Sequence, residues 1–289
     1  MGMFISLTVN GLANGMVYAL MAMGLVLLIR SVGCLNFAQG DLLMMGAYIA
    51  FGYIYMLKMP ELIGLLLSFI TYILFGVAFM FAFYWPVRKA KWGQAVMICT
   101  LGASLMLKDI ANIVFGTSVK IADYIIPGSL KIGQVQLKYQ NLIIIAVCLV
   151  VMLVVHLLYD KLYVGRIMQA ASQDKYAAEL LGIPVNFTIA ATYALVMLIA
   201  GLDGYLVSPI FMITTTLSTI QLKAFAGAVI GGFGNLKGTI YGCILVGLLE
   251  AYSTYFTTTY KDLVIYGALI LTLIIRPQGF FGETIAEKA

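Results

Sequence analysis

The first 29 residues contain no charged side chain, and the uncharged stretches 62–87, 139–159, 180–202 and 204–222 repeat the pattern along the chain. A membrane-spanning helix needs about 20 consecutive, mostly apolar residues. Shorter uncharged stretches, 42–57, 92–107, 224–236, 238–249 and 263–275, reach that length by taking in one charge or by tilting. Composition closes the soluble alternative. Soluble domains are about 45–50% apolar and about 25% charged, whereas 63% of these 289 residues are hydrophobic and 10% charged. A globule of this size still exposes about a quarter of its unfolded surface, too much to hide so many apolar side chains from water.

The expected fold is an all-α polytopic membrane protein, a bundle of 8–9 transmembrane helices with a cytoplasmic helical segment, in a single domain covering 1–289. The nine predicted spans are 5–29, 41–58, 62–84, 93–115, 140–159, 187–208, 220–235, 239–257 and 262–276. The stretch 220–235 is barely long enough and reads equally as a re-entrant segment, which gives eight crossings. The start is not expected to be a cleavable signal, because the first basic residue, Arg30, follows an apolar run that is too long for one. Basic residues favour the cytoplasmic side. With the N-terminus outside and the C-terminus inside, Arg30, Arg88, Lys89, Lys91, Lys161, Arg166, Lys175, Lys237, Arg276 and Lys288 fall inside. Six lysines (58, 120, 131, 138, 223 and 261) fall outside, and Lys108 falls within a span.

Several chemistries are excluded. His156 is the single histidine, and Cys34, Cys99, Cys148 and Cys243 are scattered, so no metal-ligand spacing exists. A formal charge of +5 spread along the whole chain does not make a nucleic-acid surface. The glycine-rich Gly231-Gly232-Phe233-Gly234-Asn235-Leu236-Lys237-Gly238 has the wrong order for a phosphate-binding loop. No cofactor is expected in this chain, and energy for active transport would come from another subunit.

Two connections are long. The outer loop, about 116–139, carries Pro127-Gly128 and Gly133 with strand-like alternation from Lys131 to Leu137. The inner segment, about 160–186, is charged, alanine-rich and helix-favouring. Within it Asp174 suits a helix N-cap, Gly182 a C-terminal stop, and Pro184 prevents continuation. Ala170, Ala171, Asp174, Ala177, Ala178 and Leu181 fall on one helical stripe at spacings of three and four. Such a segment reads either as an amphipathic connector lying on the membrane or as a docking element for a soluble partner.

This segment resembles the cytoplasmic loop of the permeases of branched-chain amino acid ABC transporters, of the LivH type, and the likeness covers nearly the whole chain. Asn10-Gly11-Leu12-Ala13-Asn14-Gly15, Asn36-Phe37-Ala38-Gln39-Gly40-Asp41 and Trp85-Pro86-Val87-Arg88 resemble blocks of that family's first half. Leu222-Lys223-Ala224-Phe225, Gly231-Gly232-Phe233-Gly234, Tyr260-Lys261-Asp262 and the stretch Arg276–Gly282 are similar to its second half. Gln169 and Asp203 depart from it, where relatives usually carry Arg and a small apolar residue.

The resemblance implies an inner-membrane importer subunit that passes leucine, isoleucine or valine. It implies as partners a second related permease, two cytoplasmic ATPase subunits that bind the ATP, and an extracytoplasmic solute-binding protein. Gly165, Arg166, Ala170, Asp174, Ala177, Ala178, Glu179 and Gly182 are then the residues that couple to the ATPase. Related permeases for other amino acids, urea or amides are the nearest alternative. A self-sufficient secondary transporter or channel is the alternative class, with only the 227–242 glycine region as a candidate helix break.

Polar groups at lipid depth usually face a bundle interior, which makes Asn10, Asn14, Asn36, Gln39 and Glu250 candidates for the translocation path. Each also reads as a plain interhelical hydrogen-bonding residue. The pairs Gly11/Gly15, Gly227/Gly231 and Gly238/Gly242 read as packing seams rather than path. Lys108 and Asp109 point about 100° apart on a helix and are not partners, which suggests Asp203 as the mate of Lys108. His156, with no acidic neighbour expected in its own helix, reads as an interfacial histidine rather than a proton carrier.

Overall fold

The computed structural model describes residues 2–90, 92, 94–132 and 135–282. Lys91 and Lys288 of the inner charges, and Gly133 of the outer loop, lie outside the described residues. The chain is helical nearly throughout. In order, the helices are α1 (Gly2–Val32), α2 (Gln39–Phe51), α3 (Glu61–Phe79), α4 (Ala95–Phe115), α5 (Tyr139–Asp160), α6 (Tyr163–Gln173), α7 (Lys175–Leu180), α8 (Val185–Phe211), α9 (Ile220–Gly231), α10 (Leu236–Phe256) and α11 (Lys261–Ile275).

Helices α2 and α3 run on through wider π turns, Gly52–Met56 and Met80–Tyr84, and a last α turn, Trp85–Val87, ends the latter. Among the described residues five helices are long and apolar enough to cross a membrane: Gly2–Val32, Glu61–Val87, Ala95–Phe115, Tyr139–Asp160 and Val185–Phe211. The other four expected spans are helical too, but α2, α9 and α11 are only 13, 12 and 15 residues long. In the outer loop the strand-like stretch folds back on itself. Strands β1 (Ser129–Ile132) and β2 (Val135–Lys138) pair antiparallel, with Ser129 opposite Lys138.

The chain divides into two compact units. One comprises the residues up to Val26, Asp123–Met152 and those from Ile220 on; the other comprises Leu27–Ala122 and Leu153–Thr219. In the first unit small residues let backbones touch. A Cβ on Gly15 would lie 2.8 Å from the Ile244 Cα, one on Gly227 would lie 2.7 Å from the Cys243 Cα, and one on Gly242 would lie 2.5 Å from the Gly231 nitrogen. The expected seams are therefore packing surfaces between α1 and α10 and between α9 and α10. Helix α9 stops at Gly232, whose φ of +112° suits glycine. Its final carbonyls would otherwise lack partners, and the Phe280 and Phe281 amides donate to Ile230 and Gly231 at 2.9 and 3.0 Å.

The second unit is organised around α8, against which α2 and α3 pack. A Cβ on Gly76 would lie 2.6 Å from the Tyr193 carbonyl oxygen, and one on Gly201 would lie 2.7 Å from the Tyr72 ring. Tyr48, Tyr72 and Tyr193 are fully buried. The Tyr72 hydroxyl meets its hydrogen-bonding need by donating to the Gly46 carbonyl at 2.8 Å.

Candidate functional site

Three polar constellations interrupt the apolar helices. The first lies in the unit containing α9, α10 and α11. Glu250 on α10 is 4% exposed, a position at which a lone carboxylate would be expensive. It is not alone: Tyr18 of α1 donates to one carboxylate oxygen, and Lys223 of α9 donates to the other. Lys223 also reaches Asp262 of α11 at 3.3 Å, and Lys261 lies 3.8 Å from Glu250. Two lysines thus face two acids, Glu250 buried and Asp262 more than half exposed, and a phenol adds a further donor to Glu250, so the buried carboxylate is both paired and hydrogen-bonded.

Glu250 belonged to the sequence-level candidates; Tyr18, Lys223, Lys261 and Asp262 did not. The signal for the last three was present in the blocks Leu222–Phe225 and Tyr260–Asp262, where ionic residues flank predicted spans. In the same unit Asn10 is exposed and its side-chain oxygen accepts a hydrogen bond from Asn141 of α5. Asn14, one turn further on, is half-buried.

The second constellation surrounds the start of α2, in the other unit. Asn36 is fully buried and its side-chain oxygen accepts the Ala38 amide at 3.0 Å, an Asx turn that launches the helix. Gln39 is equally buried, and neither atom of its amide finds a partner among the described residues. Asp41, 1% exposed, occupies the first turn of α2, where the helix dipole favours an anion. Lys108 of α4 approaches it to 3.7 Å.

The expected pairing of Lys108 with Asp203 is therefore incorrect. Lys108 projects toward the start of α2. Asp203 is fully buried on α8, with neither oxygen hydrogen-bonded among the described residues. Asp109 is exposed, as its offset from Lys108 requires. Because Lys108 is one-third exposed, Lys108→Met should lower stability by about 1–2 kcal/mol, and Lys108→Met with Asp41→Asn by less than the sum of the two. Adding Asp203→Asn to Lys108→Met should be additive. Thermal melts of the three single and two double variants check both statements; coupling between 108 and 203 instead of 41 would reverse the assignment.

The third constellation is the helical pair between α5 and α8. Asp174 is extended (φ −149°, ψ 107°) and separates α6 from α7, and its carboxylate accepts the Tyr176 and Ala177 amides at 2.9 and 3.0 Å. The cap is where the sequence placed it. Gly182, with φ +81°, ends the segment as expected. The single stripe does not form, because the break at Asp174 reorients α7 relative to α6. Ala171 and Ala178 are buried, Ala170 is half-buried, and Asp174, Ala177 and Leu181 are exposed.

Gly165 is buried against the end of α5, where a Cβ would sit 2.5 Å from the Leu158 carbonyl oxygen. Gln169 donates to the Tyr159 carbonyl at 2.8 Å, tying the same turn. Arg166 and Glu179 are exposed, as are Tyr176, Leu180 and Leu181. His156 corrects a second expectation: α5 extends through Asp160, one turn on, and the pair meets at 2.8 Å. An acid thus sits on the histidine's own helix, just past the predicted span.

Comparison with known proteins adds independent weight. The family model described as the permease component of the branched-chain amino acid transport system matches residues 7–273. A high-affinity branched-chain amino acid transport system permease, BraD of Pseudomonas aeruginosa, is 31% identical across 97% of this chain and 96% of its own length. LivH of Escherichia coli K12, of the same description, is 29% identical across 99% of this chain and 97% of its own. A solved structure, PsaBC from Streptococcus pneumoniae in complex with Fab, has the same general fold at a TM-score of 0.50 and 14% identity. It covers 94% of this chain and 92% of that one.

Proposed function

Since the chain belongs to the family of branched-chain amino acid transport permease components, we propose that it passes leucine, isoleucine or valine through the inner membrane as one subunit of an ATP-driven importer. Its partners are a second related permease, two cytoplasmic ATPase subunits that hold the ATP, and an extracytoplasmic solute-binding protein. The whole chain acts as one permease domain with eight or nine crossings, its N-terminus outside and its C-terminus cytoplasmic. Asn10, Asn14, Asn36, Gln39 and Glu250 serve the translocation path. Glu250 and its lysines set the charge there, and the asparagines and glutamine offer neutral hydrogen-bonding groups.

The observation that carries the energy-coupling part of this reading is the exposed α6–α7 pair. Its apolar tip, Tyr176, Leu180 and Leu181, is 72%, 72% and 81% exposed, and large apolar side chains grouped at one spot commonly mark a contact surface. Beside them stand Asp174 and Glu179. Buried Gly165 and Ala178 seat the pair, while Arg166, Ala170, Ala177 and Gly182 shape its surface. In the assembled importer this tip sits in a cleft of an ATPase subunit, and closure of the ATPase pair pushes on it.

Substrate-stimulated ATP hydrolysis tests this reading. Glu179→Arg reverses a charge on an exposed side chain that makes no hydrogen bond or ion pair among the described residues, and should reduce stimulation at least about fivefold, with membrane levels unchanged. Asp174→Ser keeps a capping oxygen but removes the charge, and so separates the two roles of Asp174; Asp174→Ala also loses the cap, worth about 1 kcal/mol. Full stimulation in both Glu179→Arg and Asp174→Ser would remove the coupling role.

A further inference from the structure

We propose that the groove between α3 and α8 is a retention site for one anionic glycerophospholipid, its acyl chain lying in the groove and its phosphate on Arg88. The groove encloses about 630 Å³, within the range of small-molecule sites. Ile73, Val77 and Phe81 form one wall, spaced four residues apart along α3 and its π turn; Ala190, Ala194 and Leu198 form the floor and the far end on α8. The small alanines make the surface concave. Asn186 supplies the polar side chain, at the end where α8 begins.

That end carries a cation suited to a phosphate. An Arg88 N–H donates to the Asn186 side-chain oxygen at 2.8 Å, and the guanidinium lies 3.2 Å from the centre of the Trp85 ring. Both contacts fix the orientation of the fork. Among the described residues no carboxylate pairs with Arg88, so its remaining N–H groups stay open to a bidentate anion. Lys89, exposed, adds a second positive charge next in sequence. Trp beside Arg is the combination that sits at headgroup level, and apolar wall begins directly beyond it.

Length selects a lipid over a helix from another subunit. From Asn186 to Leu198 the groove follows α8 for about 18 Å at 1.5 Å per residue. That is close to the depth of one leaflet, about 15 Å, and well short of the about 30 Å that a crossing helix needs. An apolar helix laid there would also leave Arg88 without an anion.

The test uses the purified transporter complex, relipidated with equal phosphatidylglycerol and phosphatidylcholine and analysed by native mass spectrometry. One phosphatidylglycerol per chain should persist through detergent washing, with phosphatidylcholine lost. Arg88→Gln should lower its retention about tenfold, Arg88→Lys less, and Ala194→Trp, which fills the groove, should abolish it. Arg88 lies beside the Asn186 end of the groove and not in its lining, so its variants remain informative if Ala194→Trp misfolds. Equal retention of both lipids, or unchanged retention in Arg88→Gln, would overturn the proposal. So would Ala194→Cys cross-linking to the second permease chain, which would mean that a helix covers the groove.

Discussion

Lys223→Met should lower the unfolding stability of the assembled protein by about 3 kcal/mol, the largest effect expected from any single charge in the chain. The substitution leaves Glu250, 4% exposed, with a phenolic donor and one distant cation. Breaking a buried pair by removing one partner typically costs about 3–5 kcal/mol, because the remaining charge keeps its desolvation penalty and loses its counterion. Lys261, at 3.8 Å and about one-third exposed, moderates the loss.

Removing both charges is a different experiment. Lys223→Met with Glu250→Gln deletes the attraction and the penalty together, so it should be at least about 1 kcal/mol less harmful than the sum of the single changes. Thermal melts of the purified complex give the cycle directly. Additive single effects would mean that Lys223 and Glu250 act separately, and that Lys223 belongs with Asp262 alone.

Gly242→Ala is the second severe change. The new Cβ would meet the Gly227 carbonyl oxygen and lie 2.5 Å from the Gly231 nitrogen. Backbone atoms cannot turn aside as a side chain can, so α9 and α10 have to separate along the seam. Overpacking costs about 1–3 kcal/mol where side chains can adjust, and we expect about 3 kcal/mol or more here, with much reduced steady-state membrane levels. Gly267→Ala on α11 is the control: open space surrounds its Cβ position, and alanine should gain about 0.5–1 kcal/mol from helix propensity. A normal melt for Gly242→Ala beside that control would mean the seam is looser than its distances indicate.

The sequence revealed the helices because long uncharged stretches have no other economical conformation in lipid. It revealed the Asp174 cap and the Gly182 stop because both are local signals, read within one turn. It revealed the glycine seams as seams but not their partners, since Gly15 meets Ile244 through a packing that no local pattern encodes. The same limit produced the incorrect Lys108–Asp203 pair. Both residues sit toward the same expected membrane side, and only the packing of α4 beside the start of α2 brings Asp41 within 3.7 Å instead. His156 was misread by a single residue, because the predicted span stopped at 159 and the helix continues to Asp160. Of the candidate site, Glu250 stood out by its charge at lipid depth, whereas Tyr18, an ordinary aromatic in an apolar run, carried no sign that it would donate to it.

The end of α9 has a consequence for the order in which the protein is made. Its last carbonyls accept from the amides of Phe280 and Phe281, about 50 residues later in the chain. At about 5–20 residues per second, the ribosome needs about 3–10 s to supply those donors after α9 has been translated. Until then the glycine seam of α9 and α10 can form only with the C-terminal carbonyls of α9 unsealed. A fusion that displaces residues 280–281, or a stop codon just before them, should therefore yield chains that insert fully and then fail quality control at the final step of biogenesis.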